Sequence, residues 1–508
     1  MEQLTFRFQR MSPRALGLSV FINSLIFFIV TGSTYLWNGN PDLLIALGPL
    51  MFILGTGIVC FLIAINGAAL SPLMWFTLGC GLFFGGGALA EILGLNPMSL
   101  RHFGADLGYV KRANILNATS VMLASGFALL LHWKSKKSRE TTILSTEART
   151  RLTRLFPYLL VFSAILILSK YMTFPVVENL VWRSLFSKFS MFSLAYVLIA
   201  GMIWRDLDRK KKTLILIMLG ADIFYGFVAC SKFEVLSPLV GLILGLCMWN
   251  RRLRFILFSS TIMFLLVFVS SVIISFSRAH FDYSANDNSV GDRIEILKNV
   301  ALSTVGIQNG FDTNVVQEGV GKVRKKFSVE KNIKFSNQGA VQVRRLALVG
   351  VQGYLMGEYD SGRRGKTLDA FWETFIPRIF WPEKPVITNV GIQLHQQYYK
   401  SPGQTQSSLG PSFNAEAYWN FGVNGMLLAS VLYGLAIGWL TNYYFLALRG
   451  RRVEYFLIAL PIVFNSFFVE RWLVANILAQ FVIFAMVLMV LRLIFSSQLV
   501  KRSLGKVI

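Results

Sequence analysis

A long polar segment, Ser277 to Asn420, interrupts a chain that is otherwise a succession of apolar stretches, nine before it and three after it. A water-soluble chain carries about a quarter charged residues; this one has 15% charged and 54% hydrophobic residues over a length of 508. About 20 apolar residues cross the hydrocarbon as a helix. Spans are expected near 15–35, 43–65, 72–94, 113–133, 153–171, 187–204, 213–230, 234–249, 255–276, 422–444, 455–469 and 472–496. The fold class that follows is all-α, a polytopic membrane helical bundle of about 12 spans. Residues 1–276 hold spans one to nine, 277–420 form a large loop on one side, and 421–508 hold spans ten to twelve and a tail.

The net charge of +24 invites a nucleic-acid reading, and the placement of the charges rejects it. Basic residues gather where alternate spans emerge: Arg7 to Arg14, Lys134 to Arg154, Arg205 to Lys212, Arg251 to Arg254, Arg449 to Arg452, and Lys501 to Lys506. The short loops of the opposite side carry only eight: Arg101, Lys111, Arg112, Lys170, Arg183, Lys188, Lys232 and Arg471. Short cytoplasmic loops are the ones rich in Lys and Arg. Both termini are therefore expected in the cytoplasm and the long segment outside it. The four cysteines, Cys60, Cys80, Cys230 and Cys247, lie in or beside apolar spans and show neither a disulfide framework nor a zinc spacing. The first apolar stretch is not followed by a small-residue cleavage site and is expected to remain as a helix.

The outer segment is too long to be structureless in a compact protein. Val290, Ile294, Leu297, Ala301 and Val305 repeat at helical spacing, with Ser289 and Asp292 set to cap the start. Lys366 to Phe380 is a second helix candidate, its aromatic side made by Leu368, Phe371, Trp372 and Phe375. Amphipathic aromatic helices of this kind lie at a membrane interface. Between the two runs a basic stretch, Lys322 to Lys334, reads either as a solvated segment or as a surface for acidic glycans or anionic headgroups.

The densest chemistry is Phe375-Ile-Pro-Arg378-Ile-Phe-Trp381-Pro-Glu-Lys384-Pro385. Its prolines fix the backbone and present Arg378 and Lys384 beside aromatic rings. Those cations either bind a phosphate or pair with Glu373 and Glu383. His395, Gln396, Tyr398 and Tyr399 follow, offering the amides, hydroxyls and rings that sugar recognition uses, and a histidine able to act as a base near neutral pH. Next comes Asn414-Ala-Glu416-Ala-Tyr418-Trp-Asn420-Phe-Gly422-Val-Asn-Gly425, leading into the tenth span. Glu416 either orients an acceptor hydroxyl or anchors the helix end with Tyr418. Arg278 stands at the exit of span nine, and Glu470-Arg471 form the turn between the last two spans. Asp222 lies inside a span, where an acid faces a cavity or a partner. Asp282, Asp287 and Asp292 are scattered, which favours a route without metal.

The FIPRIFWPEKP and NAEAYWNFGVNG segments, set in this layout, resemble the Wzy-type O-antigen and exopolysaccharide repeat-unit polymerases, most closely over about 370–445. The resemblance implies a GT-C-like membrane glycosyltransferase of the bacterial inner membrane, related to O-antigen ligases. Its substrates would be oligosaccharides on undecaprenyl pyrophosphate, and its product a glycan moved to the non-reducing end of another lipid-linked unit. No cofactor, nucleotide sugar or metal is implied, and a chain-length regulator and a flippase of the same pathway are implied as partners. Arg278, Arg378 and Lys384 are then expected to bind the pyrophosphate. His395 and Glu416 would serve the acceptor hydroxyl. Trp381, Gln396, Tyr398, Tyr399 and Tyr418 would hold the glycan, with Asp222, Glu470 and Arg471 lining a cavity. The rival functions are an O-antigen ligase acting on lipid A-core or protein, and a lipid-oligosaccharide flippase.

Overall fold

The computed structural model describes residues 13–36, 48, 50–58, 70–92, 107–134, 144–172, 194–229, 231–249, 348–369, 371–376, 389–398 and 409–496, with a few isolated positions such as Trp381 and Glu383. All regular structure among the described residues is helical. The chain divides into two compact units, one of Met1–Ala148 with Gly339–Ile508, the other of Arg149–Gln338.

In the first unit, α1 (Pro13–Leu36), α2 (Pro72–Ile92) and α3 (Leu107–Lys134) precede α8 (Leu348–Asp360), α9 (Asn389–Tyr398), α10 (Phe413–Leu448), α11 (Tyr455–Phe467) and α12 (Ala479–Ser496). Small side chains set the central crossing. Gly434 and Gly438 of α10 lie against Ala124 and Ala128 of α3, so close that a Cβ on either glycine would overlap the α3 backbone. Small residues four apart bring two helix backbones together in this way. Beside that seam, Tyr433 of α10 packs edge-on to Phe76 of α2 at 5.1 Å and to Phe481 of α12 at 5.5 Å, with Phe413 at 4.8 Å. These rings form the bundle centre.

The second unit contains most of α4 (Thr146–Met172) together with α5 (Ala195–Met202), α6 (Arg209–Val228) and α7 (Lys232–Trp249). Gly201 of α5 and Gly245 of α7 face each other without room for a Cβ on either. Asp208 caps α6 by accepting the Lys211 amide proton at 2.7 Å.

Among the described residues three helices, Gly108–Leu131, Thr146–Leu168 and Phe413–Leu448, are long and apolar enough to cross a membrane. Two of them carry apolar outer faces: Tyr158, Val161, Phe162, Ile165 and Leu168 form an exposed ridge on α4, and Phe421, Leu428, Leu432 and Trp439 form one on α10. Water penalises ridges of that size, whereas lipid does not.

Three sequence expectations change. Helix α10 starts at Phe413, ahead of the expected tenth span, and carries a break at Gly422 where that span was expected to begin, so Asn414 to Asn420 are helical. Polar side chains there are satisfied by neighbouring helices, which lets the helix run on past the apolar limit. The Lys366–Phe380 stretch is not an α-helix where it is described: turns at 367–369 lead into a short 3-10 helix, Phe371–Phe375. The last span opens with a π-helical turn, Leu473–Leu478, ahead of α12. The expected 290–305 helix and the basic stretch 322–334 lie outside the described residues, as does most of the ninth span.

Candidate functional site

Four side chains build the floor of the rim where α3, α8 and α10 meet. Asn414 donates to Asn117 Oδ1 at 2.6 Å, Asn117 donates to Gln352 Oε1 at 2.7 Å, and Gln352 donates to Ser412 Oγ at 2.8 Å. Ser412 closes the ring by donating to Asn414 Oδ1 at 2.7 Å. All four residues are buried. A closed amide ring of this kind leaves its members satisfied and fixes three helices at one register. Ser412 accepts a φ of 84° to take its place, a left-handed conformation that costs a serine about 1–3 kcal/mol.

On this floor sits the turn between α11 and α12. The Ser412 amide donates to the Glu470 carbonyl at 3.2 Å, and the Phe413 amide to that of Val469 at 3.4 Å. Glu416, only 1% exposed, accepts the Leu473 amide proton through its carboxylate. Trp472 packs with Ala415 of α10 and with Leu394 and Tyr398 of α9. The helix that carries His395 and Gln396, both half-buried, is thereby drawn to the same turn.

The turn presents polar atoms that its surroundings do not satisfy. Glu470 Oε2, Trp472 Nε1 and both side-chain polar atoms of Asn465 are buried with no hydrogen-bond partner among the described residues. Each such group costs about 1–3 kcal/mol. The Tyr433 hydroxyl meets the Asn465 carbonyl at 3.5 Å, which brings the aromatic centre to the edge of this cluster. Burial lifts the Glu470 carboxyl to about 7, against the opposing pull of its own backbone amide and of Arg471. Burial likewise lowers Arg471 from its ordinary value, with Glu470 and Tyr433 acting the other way. The Arg471 guanidinium lies over the Phe468 ring at 4.7 Å and forms no ion pair among the described residues. A carboxyl poised near neutrality beside a cation without a carboxylate partner is suited to two tasks: taking a proton at physiological pH and stabilising an anion.

A second layer lies on the flank of α10. Arg112 pairs with Asp360 at 2.7 Å, and the Tyr418 hydroxyl donates to the same carboxylate at 3.4 Å. Arg363 forks onto Glu358 at 2.6 and 2.8 Å. Asn420 holds the 365–368 strap by donating to Thr367 Oγ1 at 2.9 Å and accepting the Leu368 amide proton. Gly422, at φ +66° and ψ −155°, breaks the helical path of α10 where only glycine fits. A Cβ there would stand 2.8 Å from the Tyr359 hydroxyl.

No family model matches this chain, and no curated protein or solved structure does either.

The sequence-derived candidates divide by where they fall. Glu416, Glu470 and Arg471 come together around one turn, with His395 and Gln396 on the helix packed against it. Tyr398 and Tyr418, expected to face a glycan, are both buried, Tyr398 against Tyr354 and Tyr418 against Tyr359. They brace the scaffold and offer no open ring. Trp381 stacks with Trp372 at 6.0 Å. Asp222 belongs to the other unit, where it is 1% exposed and accepts from the Tyr196 hydroxyl at 3.3 Å. Arg278, Arg378, Lys384 and Tyr399 lie outside the described residues. Sequence reasoning passed over Asn465, although an asparagine inside an apolar span was a usable signal. It also missed Gln352 and Asn117, which pair with each other across 235 residues of sequence and gave no local sign.

Proposed function

We propose that the chain is a repeat-unit polymerase of surface polysaccharide, a GT-C-like bundle of about twelve spans in a bacterial inner membrane with both termini cytoplasmic. In this reading the donor is a glycan on undecaprenyl pyrophosphate. The hydroxyl at the non-reducing end of a second lipid-linked unit attacks the donor's anomeric carbon. The bond from that carbon to the pyrophosphate oxygen breaks, the pyrophosphate leaves with the electron pair, and the hydroxyl proton passes to a carboxylate.

One observation supports the reading above the rest: Glu470 and Arg471 sit in adjacent positions, one with a carboxyl near 7 and the other without a carboxylate partner among the described residues. Glu470, whose Oε2 is buried with no hydrogen-bond partner among the described residues, serves as base to the acceptor hydroxyl ahead of Glu416, and His395, whose Nδ1 is buried as well, is the alternative base. Glu416 instead positions the turn through Leu473. Arg471 meets the charge developing on the leaving pyrophosphate, and Arg378 and Lys384 remain proposed for the same anion. Removing one preorganised donor of this sort costs about 10²–10³ in rate.

The test supplies purified full-length protein with synthetic undecaprenyl-pyrophosphate-linked repeat units and sizes the products on a gel. Ladders are expected from the wild type, and neither Glu470→Gln nor Arg471→Ala should extend the unit. Ladders of unchanged length from both variants would remove this turn from the mechanism. In cells, loss of a polymerase leaves glycan capped at one repeat, whereas loss of a ligase leaves the acceptor bare.

A further inference from the structure

The strap Arg363–Asp369 and the 3-10 turn after it carry features that glycosyl transfer does not use. Two exposed cations, Arg364 and Lys366, have no carboxylate partner among the described residues, Arg364 lying over the Tyr359 ring at 5.2 Å. Their neighbours Arg112 and Arg363 are neutralised by Asp360 and Glu358. Phe371 and Trp372 follow, 45% and 50% exposed, with the Trp372 indole nearly parallel to Trp381 at 14°. Large exposed rings are unusual on a surface that faces only water.

The strap's position explains the combination. The Gly365 amide donates to the Trp419 carbonyl at 3.0 Å, and the Trp419 indole donates to the Arg363 carbonyl at 3.0 Å. Two residues further along α10 the exposed apolar ridge begins, at Phe421, Val423 and Leu428. The turn that carries Phe371 and Trp372 meets α12, whose Val482, Met486, Met489 and Leu493 are likewise exposed. Cations and indoles bordering exposed apolar helix faces are the residues met where headgroups give way to hydrocarbon.

We infer that Arg364, Lys366 and Trp372 form an interfacial belt that binds anionic phospholipid headgroups, the two cations on the phosphates and the indole at the acyl boundary. Charge complementarity selects the lipid, because two cations left unneutralised beside two paired ones attract an anionic headgroup over a zwitterionic one. Continuity with the apolar ridge selects a bilayer over a soluble anion. The belt stands whether or not the transferase reading does.

The test reconstitutes the full chain into phosphatidylcholine vesicles containing one fifth phosphatidylglycerol, with bromine on the upper acyl chain of one lipid at a time. Subtracting the fluorescence of Trp372→Phe isolates the Trp372 signal. At equal mole fraction, brominated phosphatidylglycerol should quench it more than brominated phosphatidylcholine. Each cation removed should lower that preference about fivefold, so Arg364→Gln/Lys366→Gln should abolish it. Lys366→Gln alone, which breaks no ion pair among the described residues, should lower it partway and serves if the double variant fails to insert. Equal quenching by both lipids in the wild type overturns the proposal, as does an undiminished preference in the variants. Loss of the preference on adding soluble pyrophosphate at physiological salt also overturns it, by showing a site for free phosphate groups.

Discussion

Replacing Glu470 by glutamine should make the protein more stable and inactive at once. The buried carboxyl has risen from an ordinary 4.5 to about 7, and each unit is 1.36 kcal/mol. The folded state thus holds this proton more tightly than the unfolded state does. Its contribution to stability falls as pH climbs from about 4.5 to about 7, and above that it is a constant penalty of at most about 3 kcal/mol. Glutamine keeps the shape, never ionises, and so removes the penalty. At pH 8 Glu470→Gln should be more stable than the wild type by up to about 3 kcal/mol; at pH 4.5 that pH-linked gain should be absent. Equilibrium unfolding of purified protein in mixed micelles, read by near-ultraviolet circular dichroism at both pH values, measures the difference. Taking variant minus wild type cancels every other titrating group. A variant less stable than the wild type at pH 8, or a gain of equal size at both pH values, would refute the argument that burial without a partner sets this carboxyl.

Other perturbations probe the scaffold. Asn414→Ala opens the amide ring and strands the Asn117 and Ser412 groups that it paired, at about 1–3 kcal/mol each, visible in the same unfolding experiment. Gly438→Leu drives a side chain into the α3 backbone at Ala128; folded protein should largely disappear from the membrane fraction, which size-exclusion chromatography reports. Gly422→Ala places a Cβ at φ +66° and 2.8 Å from the Tyr359 hydroxyl, costing about 1–3 kcal/mol from the backbone alone; adding Tyr359→Phe should recover only the collision. Arg471→Lys keeps the charge but loses the planar fork, so product ladders should shorten without vanishing, unlike those of Arg471→Ala.

What the sequence disclosed depended on whether the signal was local. The helical class and the stretches that became α1, α2, α6, α7 and α11 were legible, and Glu470 and Arg471 stood out as charges in a turn between apolar runs. Apolar runs and isolated charges announce themselves along the chain. The start of α10 was not legible, because Asn414, Glu416 and Asn420 look like loop residues until Asn117, Leu473 and Thr367 are there to pair with them. Tyr418 misled for a related reason: an aromatic beside a span suggests an interface, and only Asp360, 58 residues away, reveals a buried hydroxyl. Glu470 was visible as a charge, but its raised carboxyl follows from packing that no window of sequence contains.

Of the 36 residues of α10, the stretch after Gly422 extends about 39 Å at 1.5 Å per residue, itself more than the roughly 30 Å of bilayer hydrocarbon. With its break at Gly422, the element resembles a mast jointed about a quarter of the way along. Glu416 and the amide ring are rigged to the short upper spar. Because the Ser412 and Phe413 amides bond the Glu470 and Val469 carbonyls, that short segment and the Glu470 turn form one connected piece, set off from the long shaft by the joint.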